Sequence, residues 1–177
     1  AYTLGFIQYL ESCQAIEAGS PIAISGDLRP STGRIMSAVG RAVVDKGYRL
    51  IHGGRLPSPA IAYFGLCERI PTVMVTGSHI PDDRNGIKYT KREGEILKSD
   101  EAAMKQQQVD IDEALFDEEG QLRQPFELPT VDERARLQYI ARYVDYFGAT
   151  SLAGKSIGVF QHSAVGRELM VELYTAL

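Results

Sequence analysis

The chain of 177 residues holds 19 Lys and Arg against 23 Asp and Glu, a formal net charge of -4. That balance excludes a binder of nucleic-acid backbones, whose affinity rests on clustered cations. A chain of this length makes one ordinary domain, or one domain with part of another, and buries about 70% of its unfolded surface without needing disulfides or metals as staples.

The opening run from Ala1 to Leu10 is apolar, carries no basic leader and is cut by Glu11 far short of a membrane span. Neither a targeting signal nor a membrane association is expected. The run reads as the inside of a helix and starts without Met, so an upstream segment is expected. Cys13 and Cys67 have apolar neighbours and no metal-ligand spacing; they read as free core thiols of a reducing compartment, in keeping with a cytoplasmic protein.

Three apolar runs rich in β-branched residues follow: Pro21 to Ser25, Tyr48 to His52 and Pro71 to Val75. Their near-continuous hydrophobicity predicts buried strands. Between the first two, Ile35, Met36, Val39, Val43 and Val44 recur at spacings of three and four, which predicts a helix capped by Ser31 or Thr32 and ended by Gly47. Between the second and third, Ser58 to Arg69 is apolar nearly all round, as a helix pressed against a sheet would be. The order βαβαβ predicts an α/β fold with a mainly parallel sheet. Gly26-Asp27-Leu28-Arg29, Gly53-Gly54-Arg55 and Thr76-Gly77-Ser78-His79 follow the three strands, so glycines, a serine and two arginines converge at one sheet edge, where open parallel sheets bind ligands.

Beyond that loop, Gly86 to Tyr89 reads as a strand returning antiparallel, which makes the sheet mixed. Residues 99–119 are polar, and Asp110, Asp112, Glu113, Asp117, Glu118 and Glu119 read as a solvated face rather than a metal site. Thr130 to Glu133 forms a capping-box pattern ahead of a helix striped by Leu137, Ile140, Val144 and Phe147, with Gly148 at its end. A new unit then starts: Lys155 to Phe160 as a strand, Ser163 as a helix cap, and Val165, Leu169, Leu173 and Leu177 as an apolar face. Domains are accordingly expected at 1–148 and 149–177. Gly154-Lys155-Ser156 matches a relaxed P-loop pattern but is preceded by a helix and followed by a strand, the reverse of what a phosphate cradle requires. No Gly-x-Ser-x-Gly elbow surrounds any serine, which disfavours a serine hydrolase.

Val75 to Pro81, with Asn85-Gly86-Ile87-Lys88 close behind, is the stretch richest in chemistry. A hydroxyl that carries a phosphoryl group needs a tight turn off a rigid strand, with donors and cations around an anion of nearly two charges. Gly77, Ser78, His79 and Lys88 supply those parts. A Ser after Gly at a strand end is commonly a plain turn former. Here the Asn85-Gly86 turn is expected to bring Lys88 back beside Ser78, and Arg29 arrives from another strand end.

Thr76-Gly77-Ser78-His79-Ile80-Pro81 with Asn85-Gly86-Ile87-Lys88 resembles the active-site serine loop of the α-D-phosphohexomutases, the phosphomannomutase and phosphoglucomutase family, usually written Thr-Ala-Ser-His-Asn-Pro and Asn-Gly-x-Lys. Gly26 to Thr32 resembles that family's Arg-bearing loop, Leu56 to Ala60 its helix-opening segment, and His162 to Arg167 the stretch after the first strand of its second domain. Two departures stand out: Gly77 replaces Ala, adding backbone freedom at the turn, and Ile80 replaces Asn, removing a polar group beside the serine.

The resemblance implies a three-layer α/β/α first domain and a mutase that interconverts hexose 6-phosphate and hexose 1-phosphate. Ser78 would carry the phosphoryl group, a hexose 1,6-bisphosphate would be intermediate and activator, and Mg²⁺ would bind the phosphoserine. It implies catalytic or phosphate-binding roles for Arg29, His79, Asn85 and Lys88, with Lys88 and Arg29 stabilising the phosphoryl group as cations. The family's aspartate metal loop, sugar-recognition loop and phosphate-binding domain would lie after residue 177, and its first strand before Ala1. This chain alone is therefore expected to be inactive, and a non-catalytic phosphosugar-binding module is the alternative. The partner expected is a phosphorylated hexose; sugar preference and oligomeric state are not legible.

Overall fold

The computed structural model describes residues 1–177 and opens on helix α1 (Tyr2–Ser12). The predicted strands form as β1 (Pro21–Gly26), β2 (Arg49–Arg55) and β3 (Thr72–Val75), joined by helices α2 (Thr32–Asp45) and α3 (Ser58–Glu68). β1 runs parallel to both neighbours, with Ile24 opposite His52 on one side and Val73 on the other. β4 (Ile87–Lys91) returns antiparallel to β3, pairing Lys88 with Met74, and the two-residue β5 (Gly94–Glu95) closes the edge. The sheet order is β2-β1-β3-β4-β5. The expected mixed α/β sheet, parallel at its centre, is what the chain adopts.

Successive strand residues point to opposite faces, and both faces are covered. Ile22, Ile24, Val73 and Val75 pack with Phe6, Leu10, Met36 and Val43 from α1 and α2. Ala23 and Met74 point the other way, towards Ile61 and Phe64 of α3 and towards Ala135 and Tyr139 of α5 (Arg134–Phe147). Three layers result.

The second half departs from several expectations. α5 buries Ala135 and Tyr139, with Ile140 half-buried beside them, whereas Leu137 is 53% exposed and Phe147 56%. The helix is rotated relative to the predicted stripe, so that Ala135 and Tyr139, one turn apart, pack with Ile61 and Phe64 of α3. Its capping box does not form: Asp132 N donates to His52 O (2.7 Å), so the chain is pinned to β2, and the Asp132 carboxylate accepts Arg134 N instead. Residues 155–160 form no strand, since no neighbouring backbone lies alongside to complete a ladder, and Phe160 is 92% exposed. Ser163 caps nothing. Its hydroxyl pairs with His162 Nδ1, and α6 (Arg167–Ala176) starts after Gly166. Leu169 and Leu173 are buried on α6 as predicted, whereas Val165 precedes the helix and Leu177 follows it, both half-buried.

Residues 98–105 make helix α4 (Lys98–Lys105), and the acidic stretch after it is largely exposed, with no cluster of metal-ligating side chains. Cys13 and Cys67 are free but exposed rather than in the core, because Cys13 lies at the end of α1 and Cys67 in the last turn of α3. No helix is long and apolar enough to cross a membrane.

Candidate active site

The site is built on the carboxyl ends of β1 and β3. A Cβ on Gly26 would lie 2.4 Å from Thr32 Cγ2 and 2.6 Å from Met36 Sδ, so only glycine lets the first turn of α2 close onto the strand end. That closeness puts Thr32 within reach of Asp27. Ser31 holds the N-cap position of α2, as expected, but its hydroxyl makes no capping hydrogen bond; the Thr32 hydroxyl donates to Asp27 Oδ1 (2.5 Å).

Asp27 collects three more donors. Arg29 N reaches Oδ1 (3.0 Å), while Arg29 Nη1 (2.6 Å) and Thr76 Oγ1 (2.9 Å) reach Oδ2. Burial pushes this carboxyl up, but the hydrogen bonds from Thr32, the Arg29 backbone, Thr76 and the Arg29 guanidinium outweigh it and hold the group below the ordinary carboxylate range. The Asp27 carbonyl accepts Arg55 Nη1 (2.7 Å), so the second arginine at this edge secures the β1 loop.

The serine loop hangs from this framework. Its ends are bridged by Thr76 N donating to Gly86 O (2.9 Å), and Ile80 N donating to Gly77 O (3.1 Å) closes a turn within it. Ser78 sits in that turn at φ 55, and its N–H donates to Thr76 Oγ1 (3.0 Å). The Ser78 hydroxyl is exposed and makes no hydrogen bond. Arg29 Nη2 crosses the loop to donate to Ser78 O (3.2 Å) and Ile80 O (2.7 Å), leaving Nε buried without a hydrogen bond, 4.0 Å from Asp82 Oδ1. Gly77 was expected to supply torsional freedom, yet the left-handed residue is Ser78. Gly77 supplies room: a Cβ there would lie 2.8 Å from Arg29 Cζ and 2.9 Å from Ile80 Cγ1.

The remaining predicted residues divide. Arg29, Ser78 and His79 line one cleft of about 820 Å³, and Tyr139, His162 and Arg167 line it too. Asn85 stands behind the loop, where its side-chain amide donates to Ser31 Oγ (3.1 Å) and Thr32 Oγ1 (2.9 Å) and its Oδ1 accepts Gly86 N (2.9 Å). Lys88 is exposed on β4 and outside the cleft lining. Asp27, Thr32 and Thr76 were given no role in the site from the sequence: Thr32 was read as a helix cap, and Asp27 and Thr76 only as parts of strand-end segments. The available signal was a carboxylate at an apolar strand end with hydroxyl residues at the next helix start and the next strand end.

A family model described as phosphoglucomutase/phosphomannomutase, alpha/beta/alpha domain I, matches residues 1–114. The chain belongs to the phosphoglucomutase/phosphomannomutase family. It is 34% identical over 171 residues to a phosphomannomutase of Salmonella muenchen, covering 97% of this chain and 34% of that one. It is 32% identical over 176 residues to a phosphomannomutase of Sinorhizobium fredii, covering 97% and 36%. A crystal structure of a phosphoglucomutase/phosphomannomutase family protein from Burkholderia thailandensis superposes with a TM-score of 0.63 over 99% of this chain and 37% of that one, at 18% identity, and shows the shared fold. The chain thus spans about a third of the length of the phosphomannomutases it matches. The family is one of isomerases, and the serine loop and its cleft lie within or beside the segment that defines its first domain.

Proposed function

We propose that the protein is a phosphohexomutase, a phosphomannomutase or phosphoglucomutase, whose Ser78 carries the phosphoryl group exchanged with a hexose monophosphate. The observation that supports this most is Ser78 itself: an exposed hydroxyl without a hydrogen-bond partner, on a loop whose backbone is tied at both ends, facing a cleft that also holds Arg29, His79, His162 and Arg167. A free hydroxyl on a rigid turn with cations around it is what a phosphoryl carrier requires.

In the forward step a sugar hydroxyl oxygen bonds to the phosphorus as the phosphorus–Oγ bond of Ser78 breaks, and the hydroxyl proton passes to the serine oxygen. The hexose 1,6-bisphosphate so formed returns its other phosphoryl group to Ser78 after reorienting in the cleft. Positioning and charge neutralisation supply most of the acceleration in such transfers. His79 and Arg167, both in the cleft lining, would bind phosphate oxygens. Arg29 braces the loop that presents the serine, and Asn85 braces it from behind. Lys88, outside the cleft lining, reaches a phosphoryl group only by extending from β4.

Mg²⁺ is the metal this chemistry calls for, bound to the phosphoserine. This chain does not fit it alone: no three ligating side chains cluster, the Asp27 carboxylate is filled by its donors, and Asp82, the acidic group beside Arg29, has a side chain 92% exposed. The 177 residues by themselves should therefore bind phosphosugar without turnover, which a mutase assay of this chain beside the full-length protein checks. Intact mass is the direct test of the serine. The full-length protein treated with hexose 1,6-bisphosphate should gain one phosphoryl group that Ser78→Ala does not gain; a wild type that cannot be loaded defeats the reading.

A further inference from the structure

Asp27 is 7% exposed, and all four of its carboxylate hydrogen bonds run to residues that shape the serine loop. One arm passes through Thr76, whose hydroxyl donates to Oδ2 and accepts the N–H of Ser78. A second passes through Arg29, whose other terminal nitrogen holds the carbonyls of Ser78 and Ile80. A third passes through Thr32, which accepts the amide of Asn85 at the far end of the loop. The start, middle and end of residues 76–86 therefore return to one carboxylate. No neutral side chain can replace it, because a carboxylate offers about four acceptor sites and no donor, whereas an amide keeps one oxygen and turns two hydrogens towards the incoming donors.

The loop has something to be held against. Ser78 occupies a left-handed conformation that residues other than glycine avoid, and such conformations persist where the surroundings over-determine them. We propose that Asp27 is the positioning residue of the serine loop: through Thr76, Arg29 and the Thr32–Asn85 pair it holds Ser78 in this conformation with its hydroxyl towards the cleft, and so sets the rate of phosphoryl exchange. Its effect on exchange rests on the phosphoserine reading; its effect on loop order does not.

The test uses the full-length protein with Asp27→Asn and Thr76→Val. Thr76→Val is nearly isosteric and removes one arm, the hydroxyl with its bond to Asp27 Oδ2 and its acceptor for Ser78 N–H, so it keeps the question open should Asp27→Asn fail to fold. Amide hydrogen exchange, followed by peptide, should quicken about tenfold or more across residues 76–86 in both variants while the β1 and α3 peptides keep wild-type rates. Loading of Ser78 by hexose 1,6-bisphosphate, followed by intact mass, should slow about 10²-fold, with the concentration for half-maximal rate changed by less than about threefold. A purely structural Asp27 would lower the melting temperature and leave the loading rate of the folded molecules unmoved. Unchanged exchange in residues 76–86 of folded Thr76→Val overturns the positioning role, and a loosened loop that still loads at the wild-type rate overturns its kinetic part. A wild type that takes no phosphate defeats the phosphoserine reading instead, and the exchange data then decide the role of Asp27 by themselves.

Discussion

Asp27 and Asp100 make an instructive pair. They are buried to the same degree and both are held below the ordinary carboxylate range, yet they sit at opposite ends of the sheet and serve different masters. Asp100 accepts Leu97 N (2.7 Å), pairs with Lys91 Nζ (2.7 Å) and takes the hydroxyl of Tyr9, so it joins α1, β4 and the start of α4. The Leu97 backbone bond leads, followed by Lys91 and Tyr9, in bringing it to about 2; in return the hydrogen bond to Asp100 leads in pushing Tyr9 up to about 12. Its partners lie in or at the ends of regular elements whose backbones are already fixed. Of those of Asp27, Thr32 opens α2 and Thr76 follows β3, but through them and Arg29 the hydrogen bonds pass on to Ser78, Ile80 and Asn85, which have no helix or strand of their own, so the same chemistry there decides where a hydroxyl points. A buried carboxylate acts on function only when the backbone it holds would otherwise be free.

The sharpest way to break that contrast is Asp100→Asn. It should cost about 2–3 kcal/mol in denaturant unfolding, because Lys91 and Leu97 N lose a charged acceptor, while folded molecules load Ser78 at the wild-type rate. A loading defect like that expected for Asp27→Asn would erase the distinction. Gly77→Ala should cost about 1–2 kcal/mol through overpacking against Arg29 and Ile80, and adding Ile80→Asn should recover part of it, as read by thermal unfolding. Smallest is the acid response. Both aspartates titrate lower in the folded state than in the unfolded chain, so their contribution is fully present above the unfolded value of about 3.9 and is lost as pH falls. Urea midpoints should decline from about pH 4 towards about pH 2, and Asp100→Asn should flatten that decline.

The central sheet was legible from the sequence because strands buried on both faces must be apolar almost without interruption, as Pro21 to Ser25 and Pro71 to Val75 are. The helices of the first half followed from their spacing. Later elements were read less well for a common reason. Lys155 to Phe160 has strand composition, but a strand exists only when another backbone pairs with it. Leu137 and Phe147 fit a helical stripe, but the groove beside Phe64 selects Ala135 and Tyr139. Thr130 to Glu133 has the letters of a capping box, but the bond from Asp132 N to His52 O places the helix start elsewhere.

By itself the sequence determined the sheet, the serine loop at a strand end and the residue types that mark phosphoryl chemistry, since these depend on local pattern and short spacing. Only the tertiary structure decided that Arg29 and Asn85 brace the loop, that Lys88 stands outside the cleft lining, that His162 and Arg167 belong to that lining, and that Asp27 gathers the loop together. Those assignments depend on which donors meet which acceptor across separations of up to 54 residues, and hydrogen bonds of that reach are set by packing rather than by neighbours in the chain.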